Sequence, residues 1–194
     1  DIIGTICKAA EEEGLEPYII TGDRDQLQLA SKVTKVIFTK KGVSEFDCFD
    51  EQAMIDHYGF TPEQFIDFKG LMGDKSDNIP GVPKVGQKTA TELMCTYGSI
   101  DGIYNHIDEI SKKSIRESLM ENRDLAELSL RLATIKTDCE IPYSIEDAKI
   151  GNFYTAQAYA LFKKLEFKNF LNRFDKSNGE QEIAFTVITE VKAK

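Results

Sequence analysis

With 194 residues, 41% of them hydrophobic and 29% charged, the chain has the length for one good-sized domain or one domain plus a small second lobe, and its composition excludes collagen-like, low-complexity and wholly disordered readings. Cys7, Cys48, Cys95 and Cys139 lie more than 40 residues apart with no CxxC pair, which excludes a zinc knuckle or redox motif, and no apolar run approaches the roughly 20 residues of a membrane helix, so a soluble cytoplasmic protein with reduced thiols is expected. The net charge of −9 argues against a general polyanion binder, and the acidic excess is local: residues 1–83 carry 8 Lys and Arg against 16 Asp and Glu, residues 84–194 carry 16 against 17.

In chain order, residues 2–13 read as a helix, with Ile2, Ile3, Ile6, Ala9 and Ala10 on one stripe and Gly14 as its stop. A stripe that begins at residue 2 suggests a sequence that starts inside an element. Residues 17–22 are a short, nearly continuous apolar run, the pattern of a strand buried on both faces of a parallel sheet. Residues 33–39 and 42–49 are β-rich and joined through Lys40-Lys41-Gly42, as in a hairpin or strand pair at a sheet edge. Asp50 caps a helix to Gly59, and Thr61-Pro-Glu-Gln64 is a capping box with Pro at the first helical position, opening a helix through Leu71. Helices are also predicted over 87–97, 99–106, 109–120, 123–135 and 155–174. Residues 175–181 form a polar linker, and 183–189 read as the first strand of a further domain.

Two carboxylate pairs carry the candidate chemistry. Asp23 and Asp25 lie at the carboxyl end of the first predicted strand, where open α/β sheets bind ligands. Asp74 and Asp77 are three apart, which on a helical turn places both on one face. Each pair also has a plainer reading, as an N-cap or an Asx turn. Together the four acids match what a two-metal phosphodiesterase site needs, because hard divalent ions require several oxygen ligands while touching the scissile phosphate. Downstream, residues 79–90 place Val82 and Val85 in a tight hairpin and open a helix at Gly86 with Lys88 and Thr89 in its first turn. This helix-hairpin-helix pattern offers backbone N–H groups and a helix N-terminus to a phosphate backbone without reading bases.

Thr21-Gly-Asp-Arg-Asp-Gln-Leu-Gln-Leu29 and Gly70-Leu-Met-Gly-Asp-Lys-Ser-Asp-Asn-Ile-Pro-Gly-Val-Pro-Lys-Val-Gly-Gln-Lys-Thr-Ala90 closely resemble the 5′ nuclease domain of bacterial DNA polymerase I, in the flap endonuclease superfamily. The likeness runs from Asp1 to about Phe174. It implies an α/β fold, a mostly parallel sheet flanked by helices and lacking its N-terminal strands, plus a helix-hairpin-helix DNA-binding lobe. The implied division is 1–59 for the C-terminal part of the nuclease core, 60–135 for the lobe, 136–174 for helices packing back on the core, and 175–194 for a linker and the start of a following domain. Asp23, Asp25, Asp74 and Asp77 are the implied catalytic metal ligands, and Asp1 is the implied remnant of a further metal-binding motif. The implied cofactor is Mg²⁺ or Mn²⁺, two ions in a complete domain, with K⁺ at the hairpin carbonyls of Gly81, Val82 and Val85.

Gly81, Val82, Lys84, Val85, Gly86, Lys88 and Thr89 are the implied DNA contacts. Lys84 stands where the family usually has Gly: lysine suits a phosphate, but a left-handed backbone there carries strain. The resemblance implies a metal-dependent 5′ nuclease acting on sequence-independent duplex DNA at 5′ ends, flaps or nicks, a monomer in the bacterial nucleoid with polymerase domains in the same chain and no membrane contact. The alternative is a non-catalytic DNA-binding module. His57 and His106 read as packing or surface residues. The aromatic set Phe153, Tyr154, Tyr159, Phe162, Phe167, Phe170 and Phe174 reads as core at the sheet and helix junction.

Overall fold

A computed structural model describes residues 1–41, 45–142 and 144–174. The predicted linker and strand beyond Phe174 lie outside the described residues. The chain divides into two compact units, Asp1–Ile145 and a second beginning at Glu146.

In the first unit, helix α1 (Ile2–Glu12) leads to strand β1 (Tyr18–Thr21), which pairs parallel with β2 (Lys35–Lys41), as Tyr18↔Lys35 through Thr21↔Phe38. Strand β3 (Glu45–Phe49) returns antiparallel to β2, with an irregularity between Thr39 and Lys41, so among the described residues the sheet order is β1-β2-β3. The expectation that β1 is buried on both faces is corrected. Ile19 is buried whereas Ile20 is 70% exposed, so among the described residues only one face of β1 lies on the core. The α1 stripe is corrected likewise: Gly4, Cys7 and Ala10 face inward, and Ile2, Ile3 and Ile6 are exposed. Gly4 decides this face, since a Cβ there would lie 2.8 Å from Ile135.

Helix α2 (Glu51–Tyr58) is capped by the Asp50 carboxylate and ends at left-handed Gly59. The predicted capping box is present on α3 (Pro62–Met72), where Thr61 and Gln64 bond each other's backbone. Helix α3 is the spine of the unit. Phe65, Phe68 and Leu71 enter the core, and Gly70 admits the backbone of α7 (Arg123–Ala133), where a Cβ would meet Leu130 Cα at 3.2 Å. Between them run α4 (Gln87–Tyr97), α5 (Ile100–Asn105) and α6 (Lys113–Glu121). Helix α6 starts later than the predicted residue 109, because 107–109 form a 3₁₀ turn and Lys112 is the extended cap. Helix α7 stops at Ala133 rather than 135, where Gln28 takes both the Ala133 carbonyl (2.9 Å) and the Ile135 N–H (2.9 Å). His57 packs edge-on against Phe49, and His106 stacks on Tyr97, as packing residues.

In the second unit the predicted helix 155–174 is two helices, α8 (Ala156–Lys164) and α9 (Lys168–Phe174), broken where Glu166 takes φ +57°. The break lets Phe162 stack on Phe170 at 5.1 Å. The aromatic set belongs to this unit. Its rings pack on one another, with Phe174 buried beside Tyr154 and Tyr159, while Phe153 is exposed.

Candidate functional site

Asp23 follows β1 and caps the 3₁₀ turn Arg24–Leu29, its Oδ1 accepting the Asp25 N–H at 2.9 Å. That is the plainer of its two readings, and Asp23 stands outside the acidic group that the fold assembles. Oxygens of Asp25, Asp74 and Asp77 lie within 4.8 Å of one another. Around an octahedral Mg²⁺ with oxygens at about 2.1 Å, adjacent ligands are about 3 Å apart and opposite ones about 4.2 Å, so this all-oxygen set fits a hard divalent ion after small adjustment. Asp1 is not in the group: its Oδ1 accepts the Lys136 N–H at 2.8 Å, tying the start of α1 to the chain after α7.

Asp74 and Asp77 do not share a helical turn. Their loop is closed by paired backbone hydrogen bonds between Asp74 and Ile79 (2.8 and 2.9 Å), with Asn78 left-handed at φ +56°. Asp74 also forms the Asx turn, its Oδ1 accepting the Ser76 N–H at 2.8 Å and the Ser76 hydroxyl. The plainer reading of this residue is thus observed, and the Asx turn leaves it within the acidic group. Asp77 is exposed.

Sequence reasoning missed Lys69. Its side chain, 4% exposed, reaches from the last turn of α3 to place Nζ 2.6 Å from Asp25 Oδ1 and to donate to Asp74 Oδ2. Hydrogen bonds from Lys69 and then Ser76 hold the Asp74 carboxyl well below the usual range. Burial pushes the Asp25 carboxyl up despite the ammonium beside it. Burial alone would lower the ammonium of Lys69, but its bonds to Asp25 and Asp74 more than offset this and raise it. The available signal was a lone charge in the apolar run Phe68-Lys69-Gly70-Leu71-Met72 on a helix with a buried face.

The hairpin begins where the acid loop closes. Gly73 (φ +72°) and Gly81 (φ +63°) cross so closely that a Cβ on Gly73 would meet Ile79 O at 2.6 Å, and one on Gly81 would meet Gly73 N at 2.5 Å. Both glycines are required by close approach as well as by φ. Three expected phosphate donors face inward instead. The Gly81 N–H donates to buried Ser129 Oγ (2.9 Å), Val82 N–H to Leu71 O (2.8 Å) and Val85 N–H to Val82 O (3.0 Å), while Val82 and Val85 are each 3% exposed. The hydroxyl of Ser118, also buried, donates to Pro83 O. Ser118 and Ser129, from α6 and α7, thus seat the hairpin, and periodicity gave no hint of either. The carbonyl of Val82, one of the implied K⁺ ligands, is already engaged by Val85.

Lys84 takes φ +68°, the strained left-handed conformation, and is exposed with Gly86 and Lys88, whereas Thr89 is half-buried. Helix α4 has Gly86 as its N-cap and so no side-chain cap, which leaves its first-turn amides at Gln87, Lys88 and Thr89 without a side-chain acceptor.

A family model described as 5'-3' exonuclease, C-terminal SAM fold, matches residues 60–156. The chain is 42% identical to DNA polymerase I of Bacillus caldotenax, over 98% of this chain and 22% of that protein. To DNA polymerase I of Bacillus subtilis (strain 168) it is 44% identical, over 94% and 21% respectively. It therefore spans about a fifth of the length of these curated relatives. A structure of T5 5'-exonuclease with zinc bound is similar in fold, with a TM-score of 0.56 and 24% identity over 67% of this chain and 47% of that one.

Proposed function

The chain belongs to the 5'-3' exonuclease family, and from that premise we propose that Asp25, Asp74 and Asp77 hold a divalent ion, Mg²⁺ or Mn²⁺, at which DNA phosphodiesters are hydrolysed near 5′ ends, flaps or nicks. The observation that carries this reading is the convergence of three carboxylates from two distant segments within 4.8 Å, beside a crossed-glycine junction that opens directly into the hairpin. The bound ion supplies charge stabilisation at the phosphoryl oxygens and activation of water. Asp77, the exposed member, would be the ligand most accessible to solvent and substrate. Lys84, Lys88 and the first-turn amides of α4 hold the DNA backbone without reading bases. The T5 relative crystallised with zinc supports a divalent ion. A second ion, at ligands beyond this group, a monomeric state, association with polymerase domains and a place in the cytoplasmic nucleoid belong to the same proposal.

The test is cleavage of a 5′-labelled flap duplex with and without Mg²⁺. Asp25→Asn and Asp77→Asn are expected to abolish cleavage while leaving duplex affinity within about twofold, because the acids do not grip the backbone. Unchanged cleavage in either variant would show these acids to be structural.

A further inference from the structure

Lys69 neutralises one of the three charges in the acidic group and bonds both Asp25 and Asp74. Its two partners come from different elements, the turn after β1 and the loop after α3, so the lysine joins segments whose carboxylates would otherwise repel one another. It is nine-tenths buried and cannot swing into solvent without opening the packing of α3. Asp74 is held on both oxygens, by Lys69 on Oδ2 and by Ser76 on Oδ1, with a lone pair of Oδ2 left for a further ligand. Resting on the reading of this group as a metal centre, we propose that Lys69 is a resident cation of that centre: a positioning residue that fixes Asp25 and Asp74 when no ion is bound and weakens divalent-ion affinity when one is. An ion entering the group meets two net negative charges instead of three, with an ammonium held beside it. Binding is weaker than three carboxylates alone would give, and loss of the ion does not disperse the ligands.

A lysine whose charge lay outside the reach of the ion would leave ion affinity unchanged when removed, whereas an ammonium held beside the ion weakens it. The experiment is calorimetric titration of Mn²⁺ into the 194-residue chain at low salt, for the wild type, Lys69→Met and Lys69→Gln. The glutamine amide still donates to a carboxylate and guards against loss of the fold. Both variants are expected to bind Mn²⁺ about tenfold more tightly, since a like charge beside the ion is removed. In chelator, Lys69→Met is expected to melt earlier than wild type, and adding Asp25→Asn should restore part of the loss. Equal or weaker Mn²⁺ affinity in both variants would overturn the inference alone. Absence of Mn²⁺ heat in all three proteins would defeat the metal reading and this inference with it.

Discussion

The acid loop and the hairpin leave the same point of the chain, the crossing of Gly73 and Gly81, yet they are built by opposite means. The acid group is made of side chains: Asp25, Asp74, Asp77 and the Lys69 ammonium, few of them well satisfied unless the others are present. The hairpin is made of backbone, with Val82 and Val85 buried, and its inner amides and carbonyls held by Leu71, Ser118 and Ser129. Chemistry that depends on side chains can be lost by one substitution at a charge. Chemistry that depends on backbone can be lost only by moving the backbone, and the residues that hold it in place need not touch a ligand.

The largest effect is expected where the two regions meet. Gly81→Ala puts a Cβ 2.5 Å from Gly73 N in a left-handed conformation, a combination expected to cost about 3 kcal/mol or more. Urea unfolding should show the loss at an unchanged slope, and Mn²⁺ and duplex binding should fall together. A variant that lost DNA binding and kept full Mn²⁺ affinity would break the link between the regions. Ser129→Ala touches the hairpin only. It strands the buried Gly81 N–H, so a loss of about 1–3 kcal/mol is expected, with weaker duplex binding and unchanged Mn²⁺ affinity.

Replacing Lys84 and Lys88 with Ala is expected to lower the salt slope of duplex binding by about two and affinity equally for two unrelated duplexes. Fluorescence anisotropy across several salt concentrations reads this, and an unchanged slope would place the DNA contact elsewhere. The smallest effect is that of Lys84→Gly. Relief of the φ +68° backbone is opposed by the freedom of glycine in the unfolded chain, so stability should rise by less than about 1 kcal/mol while the salt slope drops by about one. A clear loss of stability would mean that position 84 is not strained.

The same contrast explains what could be read in the sequence. Thr61 and Gln64 announced α3 because a capping box is a local device, and the β2–β3 pair followed from alternating β-formers around Lys40. The acids were visible as residue types, but which of them converge, Asp25 with Asp74 and Asp77 while Asp23 caps the turn, is set by the fold and not by spacing. Lys69 was hidden for a related reason: its role comes from partners on two elements that only the fold brings together. In the hairpin, the apolar pattern foretold that Val82 and Val85 are buried, yet burial does not reveal where an amide points. Their N–H groups face Leu71 and Val82 rather than solvent. The split between α8 and α9 escaped because a single left-handed residue, Glu166, interrupts an otherwise helical period.

The most direct test of the metal centre is isothermal titration of Mn²⁺ into the 194-residue chain and into its Asp74→Asn variant. One ion per chain is expected for the wild type, at the group formed by Asp25, Asp74 and Asp77, with at least tenfold weaker binding once Asp74 has lost its charge. Equal affinity and stoichiometry in the two proteins would contradict the assignment and leave Asp74 as the anchor of an Asx turn.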